Sequence, residues 1–367
     1  MEKRLVWLMA CALVWACAGA AFGQQPQAIR FKTASCVDTQ GIGLEVFHML
    51  IPADWQFNGG IQWVMDNPAL PAVVAFKVTN PTRTAELEGF PNRMFFWTNN
   101  QGLLQMFPQG SRYFGAEVCP TMGAADYLQR ILIPRNRQGV NNLRVVSVTP
   151  MPELAQGLTG QIGPGVSISS DAAKAKIEYQ MGEVWVEEEI YTLVCATTFQ
   201  MQTMYGTVAN VNWGPDFQFS FKAVKGQMAA HSKIFQTMVK SFRVNIQWFN
   251  KYSQVVETLI QCQIQQIHTI GKISEIIART HDEISAMITD SYERRQAVYD
   301  KINKDFSQYI RGVDEYYDPV KQRPVELPSG YRQAWTNAFG EYIVSDSPSY
   351  NPNPGSNVTW HQLTLRR

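Results

Sequence analysis

The chain has 367 residues with 32 basic and 31 acidic side chains, so its formal net charge at pH 7 is +1. That balance excludes the strongly basic surface on which nucleic-acid binding depends. Hydrophobic residues make up 45% of the chain, enough for a substantial core, which excludes an intrinsically disordered protein. At roughly 150 residues per domain, the length predicts about two domains.

The first 23 residues predict a secretory signal peptide. A basic start at residues 1–4 precedes an apolar run at residues 5–16, and a small-x-small cleavage motif occupies residues 21–23. The mature chain is therefore expected to begin at Gln24 and to act outside the cytoplasm of a bacterium, in the periplasm or as a secreted protein.

A lipid anchor at Cys17 is the alternative to a cleaved and unanchored N-terminus. It is less favoured because the bulky Trp15 lies two residues before the cysteine, within the lipidation signal. No second long apolar segment follows, so any contact with a membrane is predicted to be peripheral at most.

Four cysteines remain in the predicted mature chain, an even number suited to disulfide formation in an oxidising compartment. They are Cys36, Cys119, Cys195 and Cys262. Four cysteines allow three pairings, and their spacing does not select one. For Cys195, which lies in an apolar run, a buried thiol is an equally good interpretation.

The N-terminal part predicts a meander of short strands, because alternating or apolar runs are separated by glycine and proline turns. These runs lie at residues 43–52, 61–65, 72–78 and 94–97. Residues 99–119 predict a loop, and residues 124–132 have the apolar spacing of a helix that stops at Pro134.

The following segments predict more strands, a loop and a closing helix. Strands are predicted at residues 145–149, 175–180, 184–191 and 218–224. The glycine-rich residues 156–171 predict a loop, and residues 232–242 carry an apolar helical face that could cover the sheet.

This order of elements resembles the PsbP-like fold, an antiparallel sheet sandwiched by helices. The likeness covers residues 31–247 and rests on the Ile-Pro-x-x-Trp sequence at residues 51–55, the glycine pair at residues 59–60, and a closing helix that ends at residues 241–243. It implies an α+β fold with an antiparallel sheet and flanking helices.

Residues 242–317 predict one very long amphipathic helix, because they contain no proline and carry apolar residues at steps of three and four. Drawn out continuously, such a helix would approach about 100 Å. Three paths are open for it. It could fold back at Gly271 as a helical hairpin, pack across its own domain, or pair with a second copy as a coiled coil, which would make a homo-oligomer.

The C-terminal part predicts a small β module, because prolines from Pro319 onwards forbid a helix. Residues 331–336 and 341–345 flank a glycine-containing loop and predict a hairpin.

Several segments resemble those of uncharacterised bacterial proteins, many of them exported. The segments are residues 295–300, 317–319, 327–331 and 340–343. This resemblance implies a family architecture and supplies no catalytic residues.

No catalytic, metal or cofactor motif is evident, since the five histidines are scattered and no nucleophile elbow or phosphate loop occurs. The candidate ligand-binding residues are Trp55, Trp63, Glu187 and Glu189. Alternation along a strand sends Glu187 and Glu189 to one face and Glu188 to the other. The competing interpretations are core positions for the tryptophans and a solvated strand face for the glutamates.

These patterns divide the chain into a signal peptide (1–23), an α+β PsbP-like domain (24–243), a long helical segment (244–318) and a β-hairpin module (319–367). They favour an exported, non-enzymatic binding or scaffolding protein with an unknown protein or peptide partner in the cell envelope. The alternative is an envelope-associated hydrolase with its site near Trp55, Trp63 and residues 187–189. That alternative predicts that Glu189→Gln abolishes an activity without unfolding the chain.

Overall fold

The computed structural model describes residues 28–64, 67–68, 70–155, 159–204, 206–261, 293 and 312–366. Within them the chain is predominantly β, with sheets of 11, 6 and 3 strands that pair antiparallel except where β6 meets β8. The strands are β1 (Ala28–Val37), β2 (Glu45–Pro52), β3 (Gln56–Trp63), β4 (Ala72–Thr79), β5 (Ala85–Gly89), β6 (Phe95–Thr98), β7 (Arg112–Tyr113), β8 (Ala116–Val118), β9 (Asn141–Pro150), β10 (Gly160–Gly163), β11 (Val166–Met181), β12 (Val184–Thr203), β13 (Gly206–Val224), β14 (Arg243–Val244), β15 (Val313–Asp318), β16 (Arg323–Pro328), β17 (Gln333–Asn337), β18 (Tyr342–Ser345), β19 (Trp360–Gln362) and β20 (Thr364–Leu365). The helices are α1 (Gln101–Met106), α2 (Ala124–Tyr127), a π-helical turn (Leu128–Leu132), α3 (Ile133–Asn136), α4 (Pro152–Ala155), α5 (Met228–Ser241) and α6 (Ile246–Gln261).

The predicted α+β fold with a long helix is wrong for the part of the chain that the structure describes. There the longest helix, α6, has 16 residues. The end of the predicted helix forms β15 instead, because Tyr316 and Asp318 are buried while Glu315 and Tyr317 face solvent, a period of two. Gly271 and the coiled-coil stripe after Gln261 lie outside the described residues.

The 11-stranded sheet, called the large sheet below, is built on the long neighbouring strands β11, β12 and β13, of 16, 20 and 19 residues. Successive residues of β12 are buried on opposite faces, Tyr191 and Leu193 on one and Ile190 and Thr192 on the other. Both faces are therefore covered. The loop predicted at residues 156–171 is wrong, because β10 and the start of β11 lie within it.

One face of the large sheet packs against β2, α5 and α6 and forms the main core. Its larger members are Phe47, Met49, Ile51, Tyr191, Phe219, Phe221, Phe235, Met238 and Phe242. The helix predicted at residues 232–242 is confirmed as most of α5, and its apolar face covers the sheet as expected.

The opposite face is covered by α2, the π-helical turn and α3. Tyr127, Leu128 and Ile131 belong to the same core as Ile177 of β11. The helix predicted at residues 124–132 is confirmed, but the helical segment continues past the predicted stop. Pro134 lies at the start of α3, directly after the π-helical turn, so the helical segment contains the proline without ending there.

The 6-stranded sheet has the order β14-β2-β1-β18-β17-β19, so strands from both ends of the described chain share it. Phe31 of β1 lies opposite Tyr342 of β18. The hairpin predicted around residues 337–340 is confirmed as β17 and β18. A core that includes Leu327 and Tyr316 joins this sheet to the 3-stranded sheet β16-β15-β20.

Candidate ligand-binding site

A cavity of about 510 Å³ lies between the large sheet and the layer formed by β2, α5 and α6. Most of its walls are aromatic or aliphatic, and it is called the aromatic cavity below. The apolar lining includes Phe47, Met49, Phe76, Leu87, Phe217, Phe219, Met238, Phe242, Trp248, Phe249, Tyr252 and Val256.

The helical wall follows from the spacing of residues on α6. Trp248, Tyr252 and Val256 are four residues apart, so they lie on one face of the helix and line the cavity together. The rings of Trp248 and Tyr252 stack with 5.1 Å between centroids and 11° between planes. This four-residue spacing is the sequence signal that could have identified the wall.

The strand wall is held by ring contacts between separate elements. The ring centroid of Phe47 on β2 lies 4.8 Å from that of Phe242 and 5.1 Å from that of Phe76 on β4. Aromatic pairs of this kind contribute about 0.5–1.5 kcal/mol each beyond the area they bury. The cavity therefore has walls that are ordered by their own packing.

A β-bulge in β13 shapes the sheet side of the cavity. Leu193 lies opposite Phe217 and Val194 opposite Pro215, so Asp216 is an extra residue without a partner position on β12. Beside the bulge, a Cβ at Gly214 would lie 2.3 Å from the backbone oxygen of residue 93. Only glycine permits this approach, which holds the loop after β5 against the sheet.

Gln218 ties that loop to the opposite face of the large sheet. Its Nε2 donates to the backbone oxygen of Pro91 at 2.6 Å, and its Oε1 accepts from the Tyr127 hydroxyl at 2.9 Å. Burial raises the pKa of Tyr127, so the hydroxyl keeps its proton and remains the donor. The loop that carries the polar end of the cavity is thus anchored on both sides.

Arg93 supplies the positive charge at that polar end. It is half-buried, and among the described lining residues it is the one cation, beside neutral polar groups such as Asn92 and Asn212. Within the part of the chain that the structure describes, no carboxylate lies within ion-pair distance of its guanidinium. Asp216 of the bulge in β13 also lines the cavity, so the cavity combines an apolar body with polar groups that include one cation, Arg93, and one carboxylate.

The buried carboxylate of Asp38 fixes the position of α6. Its Oδ2 accepts from Trp248 Nε1 at 3.1 Å, and its Oδ1 accepts from Trp63 Nε1 at 3.1 Å. The backbone N–H groups of Gly41 and Ile42 donate to the same carboxylate at 2.8 and 2.9 Å. One acidic side chain thus joins the turn after β1, the end of β3 and the wall of the aromatic cavity.

The two tryptophans proposed from the sequence are buried outside the cavity lining. Trp55 packs edge-on against Phe235 of α5, with 6.2 Å between ring centroids. Trp63 donates to Asp38 as described above. The structure places them in different parts of the core, where they order α5 and the turn after β1.

The two glutamates proposed with them are bound by nearby donors. Glu187 accepts from the backbone N–H of Met228 at the start of α5 and lies 2.9 Å from Lys176 Nζ. Glu189 accepts from the Tyr191 hydroxyl at 3.0 Å. Both lie on one face of β12 and the middle glutamate lies on the other, which confirms the predicted alternation.

The cysteines are spread over several elements. Cys36 and Cys119 are buried free thiols, and Cys262 lies outside the described residues. Burial and the nearby Asp38 raise the pKa of Cys36 to about 11, so its thiol is protonated and unreactive at neutral pH. Cys195 lies in the wall of the aromatic cavity.

Among the described residues, no group of three or more His, Cys, Asp or Glu side chains is arranged to hold a metal ion. No described helix combines the length and the apolar character needed to cross a membrane. No model of a known protein family and no curated protein matches this chain.

Proposed function

We propose that this protein is an exported, non-enzymatic binding protein for an amphipathic molecule with an apolar body and an anionic head. The aromatic cavity carries the proposal. Its volume of about 510 Å³ lies within the roughly 300–1,000 Å³ of small-molecule sites, which are mainly apolar with a few placed polar groups. The signal-peptide pattern of residues 1–23 supports export.

Arg93 determines the chemistry of the head group. A guanidinium binds a carboxylate through two parallel N–H···O bonds, a geometry that an ammonium does not offer. A long-chain carboxylic acid matches both ends of the site, since its chain would lie along Phe242 and Trp248 and its carboxylate would face Arg93.

Ser253→Trp is expected to block the site. Ser253 lines the cavity from α6 and is half-buried, so the added indole enters the space that the ligand would occupy. In fluorescence titrations of the mature chain with a fluorescent long-chain carboxylate, we expect affinity to fall at least about tenfold, which equals about 1.4 kcal/mol.

The matched control is Val145→Trp, which adds the same side chain at an exposed position of β9. It should bind the probe as the unaltered protein does. Equal affinity of the Ser253→Trp variant and the unaltered protein would place the ligand elsewhere.

Arg93→Gln is expected to weaken carboxylate binding selectively. A hydrogen bond to a charged group contributes about 1.5–3 kcal/mol, so affinity for the carboxylate should fall about tenfold or more. Affinity for the alcohol of the same chain length should stay nearly unchanged. Isothermal titration of both ligands measures the difference, with the exposed Arg130→Gln as control. An equal loss for acid and alcohol would mean that Arg93 does not bind the head group.

A further inference from the structure

A second cavity, of about 650 Å³, lies on the far side of β2 from the aromatic cavity's apolar wall. It is bounded by β1 and β2, by the C-terminal half of α5, and by β15 and β16 of the 3-stranded sheet. Its lining is charged, in contrast to the first cavity, and it is called the cationic cavity below. Nothing in the proposed binding of an amphipathic molecule uses it.

Four cations line the cationic cavity, and its two acidic residues are already paired. The cations are Lys240, Arg243, Lys321 and Arg323. Glu326 lies 2.9 Å from Lys240 Nζ, and Glu315 lies 3.0 Å from Arg366 Nη1. His48, which also lines the cavity, is paired with Glu45 at 2.7 Å.

Three of these cations lie outside those ion pairs. Within the described residues, no carboxylate lies within ion-pair distance of Arg243, Lys321 or Arg323. Arg243 is positioned by its Nη1, which donates to the backbone oxygens of Lys240 and Phe242 at the end of α5. The cavity thus presents three cations that form no ion pair with its two lining glutamates.

Lys321 is held inside the cavity by the turn between β15 and β16. The buried Asp318 accepts from its backbone N–H at 3.0 Å and from the Tyr342 hydroxyl at 2.7 Å. Lys321 Nζ lies 5.5 Å from the centroid of the Tyr342 ring. A Cβ on Gly340 would lie 2.6 Å from that nitrogen, so a larger residue there would displace the ammonium from its present position.

The ammonium of Lys321 is electrostatically unfavourable in this position. Burial and the neighbouring Arg323 lower its pKa, and the charge of Asp318 offsets part of that effect. Lys321 is half-buried and Arg323 is exposed, and an anion that contacts both would relieve the repulsion between these like charges. The site is therefore complementary to a ligand with more than one negative charge.

We propose that the cationic cavity binds a small multivalent oxyanion of the phosphate class, with Lys321 and Arg323 as its principal contacts and Arg243 at its edge. Guanidinium groups bind phosphate oxygens through two N–H groups at once, and a lysine ammonium binds them as a point charge. The volume admits a pyrophosphate group or a phosphorylated small molecule. The same phosphate chemistry could come from a soluble molecule or from a lipid headgroup.

Isothermal titration of the mature chain with pyrophosphate at low ionic strength tests the proposal. We expect saturable binding that weakens with added salt, because the contacts are ionic. Lys321→Gln and Arg323→Gln should each lower the affinity about tenfold, and Lys321→Arg, which keeps the charge, should restore most of it. The control is Arg332→Gln, which removes an exposed cation that does not line the cavity.

Vesicles that contain phosphatidic acid distinguish the two sources of phosphate. Vesicle binding that pyrophosphate displaces and that Lys321→Gln abolishes would support a lipid headgroup, while binding of pyrophosphate alone would support a soluble ligand. Two results would overturn the proposal: no binding of either probe, or binding that the Lys321 and Arg323 variants leave unchanged. The same variants are expected to bind the long-chain carboxylate as the unaltered protein does, since Lys321 and Arg323 do not line the aromatic cavity. This measurement separates the two proposed sites.

Discussion

Replacing Arg137 with methionine is expected to destabilise the fold by about 3–5 kcal/mol, because it leaves a buried carboxylate without its cation. Arg137 follows α3, and its Nε donates to Glu188 Oε2 at 2.8 Å. Its Nη2 also binds Glu188 and donates to Glu88 Oε2 on β5 at 2.7 Å. Glu188 is fully buried on β12, where the Tyr179 hydroxyl donates to it at 3.0 Å.

The loss should depend on pH in a defined direction. Burial alone would raise the pKa of Glu188, but Arg137, with smaller contributions from Ser220 and Lys222, holds that pKa below its ordinary value. A carboxyl whose folded-state pKa is lowered stabilises the fold above its unfolded-state pKa of about 4.3 and loses that contribution as pH falls through the folded-state pKa. Without Arg137, burial dominates, so protonation of Glu188 should recover part of the lost stability at mildly acidic pH.

Denaturant unfolding at pH 7 and pH 5 measures both effects. The control is Arg135→Met, a substitution on α3 that breaks a part-exposed ion pair with Glu117 of β8 and should cost no more than about 1 kcal/mol. A double variant, Arg137→Met with Glu188→Met, should regain much of the stability, because it removes both charges. Equal losses for Arg137→Met and Arg135→Met would show that the buried pair has no special role.

Local patterns in the sequence were sufficient to predict elements whose residues are neighbours in the chain. The hairpin at residues 331–345, the helix α5 and the alternation of Glu187 and Glu188 were predicted from spacing alone, and the structure confirms each. The length of β13 was missed because Pro215 and Gly214 resemble a strand end. Pro215 lies next to the bulge, so strand β13 continues past it. Gly214 is needed for close packing of the loop after β5.

Long-range pairing could not be predicted in the same way. Phe31 and Tyr342 are opposite each other in one sheet, and nothing in either segment specifies a partner so distant in the chain. The long helix was over-extended because absence of proline permits a helix without requiring one. At residues 313–318 the burial of Tyr316 against the 6-stranded sheet favoured a strand.

In the two proposed sites, too, the contacts between distant parts of the chain could not be predicted from the sequence. The aromatic wall of α6 has a readable spacing, whereas the positions of Arg93 and Lys321 depend on loops whose neighbours come from other strands. A sequence shows that an arginine or lysine is present. Whether a carboxylate is near enough to pair with it is a property of the fold.

Replacing Asp38 with alanine should affect both stability and ligand binding. The substitution removes the acceptor for two buried indole N–H groups and two backbone N–H groups. An unsatisfied buried donor costs about 1–3 kcal/mol, and water reaching part of the site would reduce the sum, so we expect a loss of about 4 kcal/mol. Denaturant unfolding followed by tryptophan fluorescence reports it directly, since Trp63 and Trp248 are two of the donors.

The matched control is Asp54→Ala, which removes an exposed carboxylate from the turn after β2 and should change stability by less than about 0.5 kcal/mol. Asp38→Asn should fall between the two, because an amide keeps one acceptor oxygen but presents an N–H₂ group to the remaining donors. A loss for Asp38→Ala no larger than that for Asp54→Ala would contradict the role assigned to this carboxylate.

The same variant tests whether Asp38 also positions the ligand-binding wall. Trp248 is joined to Asp38 by its indole N–H and stacks on Tyr252, so loss of the carboxylate should allow this part of α6 to shift away from the large sheet. In the absence of denaturant, where the variant is still folded, we expect it to bind the long-chain carboxylate more weakly and pyrophosphate equally well. That separation is expected because Asp38 binds Trp248 in the wall of the aromatic cavity and does not line the cationic cavity.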